Sequence, residues 1–136
     1  MSRLSEKVGL SLSACHRRVK ILENDGLIQQ YTARLDRRKI GLDLQFFIEV
    51  RLTSHFKEDQ AAFEEKIQSM PDVLECHRIS GEFDYLMRVA VAGAAEYEDF
   101  YYNRLSEIPA IAQVKTLLSL STLKDFQGYN LEALAS

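Results

Sequence analysis

Between Leu44 and Leu52 the chain alternates. Leu44, Phe46, Ile48, Val50 and Leu52 are apolar, and Gln45, Glu49 and Arg51 stand between them, with Phe47 as the exception. A two-residue period marks a strand with one face on a core, because successive side chains of an extended backbone point to opposite sides. Such a strand requires both hydrogen-bonded neighbours and an apolar layer lying on it. The residues that follow provide both. Phe63, Ile67 and Met70 recur at helical spacing and predict a helix from about Glu58 to Met70, ended by Pro71. Val73 to Ile79 and Tyr85 to Val91 read as strands, and the short connection through Ser80, Gly81, Glu82, Phe83 and Asp84 makes them an antiparallel hairpin. Tyr97, Tyr101, Leu105 and Ile108 predict a second helix over about Ala95 to Ile108, and Val114 to Lys124 reads as a fourth strand.

The order β-α-β-β-α-β is the ferredoxin-like arrangement, an α+β fold in which two helices cover one face of a four-stranded antiparallel sheet. Helices cover only one side, yet the strands carry apolar residues at both parities: Phe46 beside Phe47, Leu86 beside Met87, and Leu117 beside Leu118. A half-solvated sheet normally has a polar outer face. A second apolar face therefore points to a covering partner, most simply a second copy of the same sheet.

The chain before residue 42 follows a different period. Leu4 and Val8 share a helical face, Gly9 suits the left-handed conformation that stops a short helix, and Ser11 suits the N-cap of the next one. In that next helix Leu12, Cys15, Val19 and Leu22 fall in one narrow arc. Ser13, Arg17, Lys20 and Asn24 fall in the opposite arc, with His16 and Arg18 on its flanks. A helix held by an apolar stripe and presenting small polar and basic side chains suits a DNA major groove. In such a groove Ser13, His16, Arg17 and Lys20 would meet base edges. Leu27 to Leu35 has strand character, like the wing of a winged helix-turn-helix, and Arg34 on it suits a phosphate. Asp36 caps a basic turn through Arg37, Arg38, Lys39 and Ile40 that closes at Gly41 and serves as the linker. This divides the chain into a DNA-binding part with its linker, residues 1–41, and a second domain, 42–136.

Charge divides at the same place. Residues 1–41 hold nine Lys and Arg against four Asp and Glu, a charge of +5, whereas the remainder holds eight against sixteen, −8. A basic first third on an acidic body suits a polyanion bound by that third alone. The two cysteines are too few for a disulfide framework. The adjacent pairs Cys15 with His16 and Cys76 with His77 point their side chains apart on either a helix or a strand, so no metal site is expected. No apolar run approaches the ~20 residues of a membrane span, and the start has no secretory apolar core, so a cytoplasmic protein without membrane contact is expected. Asp84, His77, Glu75 and Cys76 lack a nucleophile–base arrangement or a glycine-rich phosphate loop, which argues against an enzyme and against a bound cofactor.

Several blocks resemble the Lrp/AsnC (feast/famine) transcription regulators at that family's spacing. They are Leu4 to Ser11, Cys15 with Arg18 and Val19, Leu22 with Glu23, Gly26 to Ile28 with Tyr31, Glu75 with Cys76, and Ser80 to Tyr85. The resemblance covers nearly the whole chain. It implies an N-terminal winged helix-turn-helix bound to double-stranded DNA, with Ser11 joining the DNA-facing residues. It also implies a ferredoxin-like sensor domain for a small effector, usually an amino acid, near the loop formed by Ser80, Gly81, Glu82, Phe83, Asp84 and Tyr85. Sheet-paired homodimers that assemble further into octamers follow from it as well. Family members carry a further helix before the position of Leu4, so the DNA-binding domain is expected to be truncated, with Leu4, Val8, Leu10 and Leu12 partly uncovered. The alternative is an amino-acid-binding and oligomerisation module with impaired DNA binding.

Overall fold

A computed structural model describes residues 1–135, which divide into two compact units, Met1–Leu35 and the chain from Asp36 onward. The basic turn 36–41 falls with the second unit rather than with the helix-turn-helix.

The first unit contains α1 (Ser2–Val8) and α2 (Leu12–Asn24). Gly9 stops α1 with φ +70°, its N–H and that of Leu10 both reaching the carbonyl of Ser5. The apolar stripe expected of α2 is only partly covered. Cys15 is buried, but Leu12 remains 48% and Leu22 37% exposed, and on α1 Leu4 and Val8 are exposed too. Two short helices present too little apolar area to enclose one another's stripes. The expected wing strand over 27–35 is absent: these residues run without a ladder partner among the described residues, and a strand cannot form alone.

In the second unit Asp36 caps its turn as its position predicted, Oδ1 accepting the Lys39 N–H at 3.1 Å. The sheet then forms from β1 (Leu44–Leu52), β2 (Val73–Arg78), β3 (Tyr85–Val91) and β4 (Ile111–Leu118) in the antiparallel order β2-β3-β1-β4. Helix α3 (Lys57–Gln68) connects β1 to β2, and α4 (Ala94–Phe100) follows β3. Phe46, Ile48 and Val50 of β1 pair with Val89, Met87 and Tyr85 of β3, and all six lie in the core beside Phe63 and Ile67 of α3 and Phe100 of α4. The alternation of β1 has thus set its inner face.

In the second unit the structure departs from the sequence reading in three places. The second helix is not α-helical to Ile108. After Phe100 the backbone widens into a π-helical turn, Tyr101–Leu105, in which the Ser106 N–H reaches the Tyr101 carbonyl. Phe100 and Leu105 are both fully buried although an α-helix sets residues five apart about 140° away from each other, and the wider turn draws them toward one face. Strand β4 begins three residues early and ends at Leu118, because among the described residues its only neighbour is β1. The Ser119 N–H still bonds the Gln45 carbonyl, beyond which β1 offers no partner. The outer sheet face is mixed rather than apolar. Register places Phe47 beside Leu117 and Arg88, and Glu49 beside Leu86 and Lys115, so three apolar side chains sit among charges. Leu118 and Met87 belong to the other face.

Phe63 is fully buried against the Tyr85 ring, 4.4 Å between centroids, whereas Tyr102 is 64% exposed. Denaturant unfolding should therefore give a loss of about 3–5 kcal/mol for Phe63→Ala and about 1 kcal/mol or less for Tyr102→Ala.

Candidate nucleic-acid interface and ligand hairpin

Helix α2 is built to present its polar side. Ser11 lies in extended backbone at its start, and its Oγ accepts the Ala14 N–H at 3.2 Å, satisfying one free donor of the first turn. Ser11 is thereby committed to the cap, with Ser13 Oγ 3.4 Å from its own. Cys15 turns inward, its Sγ 3.5 Å from the Met1 Sδ. Ser13, His16, Arg17, Arg18 and Lys20 are all exposed on the remaining circumference. At the far end Gly26 takes φ +79°, and the N–H groups of Leu27 and Ile28 both fold back to the Leu22 carbonyl. Tyr31 then reaches back to α2, its hydroxyl donating to Glu23 at 2.7 Å, and this bond to a carboxylate pushes the phenol pKa up. In the sequence Tyr31 reads as a strand former and, with Glu23, as part of a family resemblance, not as a contact of α2. Their eight-residue separation across a helix end carries no local signal of contact. Arg34 is exposed in the stretch beyond Tyr31.

In the second unit the β2–β3 connection separates into two parts. Ser80, Gly81 and Glu82 form an exposed tip. Gly81 has φ +113°, a conformation that side chains rarely adopt, and open space lies where a Cβ would stand. Phe83 and Tyr85, grouped with them on sequence, are 7% and 2% exposed and belong to the interior. The Tyr85 hydroxyl is buried near the Arg78 guanidinium, and burial pushes its pKa up.

Asp84 joins the two parts. Asp84 stands where a tight turn would let its side chain bond its own backbone. Instead its carboxylate reaches β1: Oδ2 accepts the Leu52 N–H at 2.8 Å and Oδ1 lies 3.1 Å from Nε2 of His55. Its backbone N–H donates to the Val50 carbonyl at 2.9 Å, and its carbonyl accepts the Ile79 N–H at 2.9 Å. The hairpin is therefore stapled to the end of β1. His55 was not singled out from sequence, because its partner lies 29 residues away.

The remaining titratable groups are dispersed. Cys76 pairs in register with Met87 on the helix-covered face, and His77 pairs with Leu86 on the outer one. Among the described residues no three His, Cys, Asp or Glu side chains converge as metal ligands. Glu75 bonds Arg88 across the strands, and this hydrogen bond holds its carboxyl below the usual range. His77 lies 3.4 Å from the same carboxylate. Arg88 also donates to Oε1 of the buried Gln45 at 3.1 Å.

A helix-turn-helix with an exposed basic face, followed by a ferredoxin-like domain with an open hairpin tip, is the organisation of a DNA-binding regulator with a ligand-binding half. Comparison with known proteins agrees. Residues 1–29 match the winged helix-turn-helix DNA-binding family, and residues 45–129 match the Lrp/AsnC ligand binding domain. The chain belongs to the Lrp/AsnC family of transcription regulators. It is 36% identical over 124 residues to the glutamate uptake regulatory protein of Zymomonas mobilis, covering 91% of this chain and 75% of that one. It is 38% identical over 120 residues to the Bkd operon transcriptional regulator of Pseudomonas aeruginosa, covering 88% and 78%. A transcriptional regulator from Neisseria meningitidis, solved in complex with L-methionine, superposes with a TM-score of 0.91 at 31% identity, covering 96% of this chain and 84% of that one. No helix of the described residues is long and apolar enough to cross a membrane.

Although Cys76 is exposed as a residue, loss of hydration around its sulfur pushes the thiol up to about 11, with the Glu64 carboxylate adding to the effect. The folded protein should accordingly react with iodoacetamide at Cys76 far more slowly than free cysteine does at pH 8. Thiolate there is about one part in a thousand, and the rate should climb steeply toward pH 11. Mass spectrometry of the labelled peptide measures it.

Proposed function

We propose that this protein regulates transcription in response to a free amino acid, reading DNA with α2 and sensing the effector at the β2–β3 hairpin. The observation that carries the sensing half is the likeness to the Neisseria regulator, whose complex holds L-methionine. An amino acid offers a carboxylate and an ammonium a few ångströms apart. The hairpin offers matching groups: unshielded backbone N–H groups beside Gly81 for the former, and the carboxylates of Glu82 and Asp84 for the latter. Ser80 completes the exposed tip, while Phe83 and Tyr85 form its floor. The protein acts in the cytoplasm without cofactor, metal or catalytic step. It pairs through the outer sheet face around Phe47, Leu86 and Leu117, and such dimers assemble further, to octamers in the full case. Effector binding then shifts that assembly through its differential affinity for the two states.

On DNA, Ser13, His16, Arg17 and Lys20 contact base edges, whereas Arg18 and Arg34 contact phosphates and Ser11 holds the helix start against the backbone. Arg17→Ala should blur operator preference at one position, at a cost of about 1–3 kcal/mol. Arg34→Ala should weaken all sequences alike and flatten the dependence of affinity on salt. Gel retardation on a panel of operator variants over a salt series separates the two. The exposure of Leu4, Val8 and Leu12 favours a second reading, an amino-acid-binding and assembly module with impaired DNA binding. Retardation at no salt concentration would favour that reading.

Gly81→Val should abolish the effector response, because a β-branched residue is strained at φ +113° and obstructs approach to the amides. Calorimetry against the twenty amino acids measures the loss, and light scattering beside it should give a dimer for both proteins. Equal binding by parent and variant would move the site elsewhere. A monomeric parent at micromolar concentration would remove sheet pairing.

A further inference from the structure

The polar groups that hold Asp84 are backbone groups with one exception. Leu52 N–H holds Oδ2, Val50 C=O accepts the Asp84 amide, and Ile79 N–H donates to the Asp84 carbonyl. Only Oδ1 is met by a side chain, the imidazole of His55 at 3.1 Å. His55 stands in the connection between β1 and α3, and that connection is pinned beside it. Thr53 N–H donates to the Ala110 carbonyl at 2.7 Å, and Ser54 Oγ donates to the Asp59 carboxylate in the first turn of α3. The imidazole is thus delivered to Oδ1 by an anchored loop. The Asp84 side chain is 21% exposed and that of His55 is 73% exposed. The Leu52 amide holds Oδ2 and the imidazole meets Oδ1, so each carboxylate oxygen has a partner while the side chain keeps partial access to solvent.

We propose that His55 is a positioning residue of the hairpin site: together with the Leu52 amide it fixes the plane of the Asp84 carboxylate, leaving the free lone pairs of Oδ1 aimed at an incoming ammonium. The inference rests on the reading of the hairpin as the amino-acid site and adds to it a residue from outside the hairpin. A carboxylate offers about four acceptor positions, so an imidazole N–H and an ammonium can share Oδ1. Torsion about the last bond of an Asp side chain is broad. With one anchor removed the carboxylate samples orientations that binding must then restrict, and that ordering is charged against affinity. The same pair ties the β1–α3 connection to the hairpin, so occupancy of the hairpin is felt at His55.

The test uses the full chain, with L-methionine as the first probe and the other protein amino acids after it. His55→Ala should weaken binding about three- to tenfold by calorimetry, with the thermal unfolding midpoint held close to that of the parent. His55→Gln, which keeps an N–H donor of similar reach, should recover most of the lost affinity. In the parent, the ring resonances of His55 should shift as the amino acid is added, a signature that a merely structural histidine at the loop would not give. Equal or tighter binding by His55→Ala, or a ring signal unmoved at saturation, overturns the role of His55 while leaving the hairpin site standing. A folded parent that binds none of the twenty amino acids overturns the amino-acid reading itself, and the inference falls with it.

Discussion

Strand β1 is the constraint on which the rest of the second unit depends. It is hydrogen-bonded on both sides, to β3 and to β4, and its inward residues Phe46, Ile48, Val50 and Leu52 form one wall of the core. A one-residue slip of such a strand would turn every one of those side chains to the opposite face. The cost of exposing them, on the order of 1.5–3 kcal/mol each, holds the register. With that register fixed, the end of β1 at Val50 and Leu52 comes beside Asp84, and the hairpin tip is held by three backbone bonds and one imidazole. The geometry of the candidate ligand site is therefore a consequence of core packing.

The helix-turn-helix unit is held differently. It has one buried apolar side chain, Cys15, and most of its definition is local: the Ser11 cap, the Gly9 and Gly26 stops, and the Tyr31 bond to Glu23. Local bonds of this kind contribute about 1 kcal/mol each, so the unit depends on short-range contacts more than on a core. Its exposed leucines and its basic arc lie on different parts of the helical surface. An exposed basic surface and a surface wanting apolar cover thus coexist on α2.

The outer face of the sheet, through which we propose that two copies pair, mixes apolar and charged side chains. Phe47, Leu86 and Leu117 give it an apolar centre, and Glu49, Lys115, Arg88 and Glu75 surround that centre in cross-strand neighbours of opposite sign. A centre of that kind favours association, while a rim of paired charges selects orientation more than it adds affinity. Adjacent apolar residues in the sequence suggested a more uniformly apolar face, because the strand parity of β4 and β3 relative to β1 is not written in any one strand.

Local periodicity and turn chemistry settled a great deal about this chain. The two-residue alternation of β1, the helical spacing of Phe63 and Ile67, the Ser11 cap and the glycine stops all depend on neighbours within a few residues, and each was legible in the sequence. So was the order of elements, and with it the ferredoxin-like fold, while the family was legible only as a resemblance of motif blocks. Three features required the folded chain. Strand β4 ends at Leu118 because β1 runs out of partners, the wing segment forms no strand because none lies beside it among the described residues, and the π-helical turn forms because Phe100 and Leu105 must reach one core. The candidate site divides in the same way. Gly81 and its exposed neighbours were readable as a turn, but the bonds from Asp84 to Leu52 and His55 span 32 and 29 residues. Contacts at that separation are created by sheet register, and register is a property of the packed core that no local stretch of sequence contains.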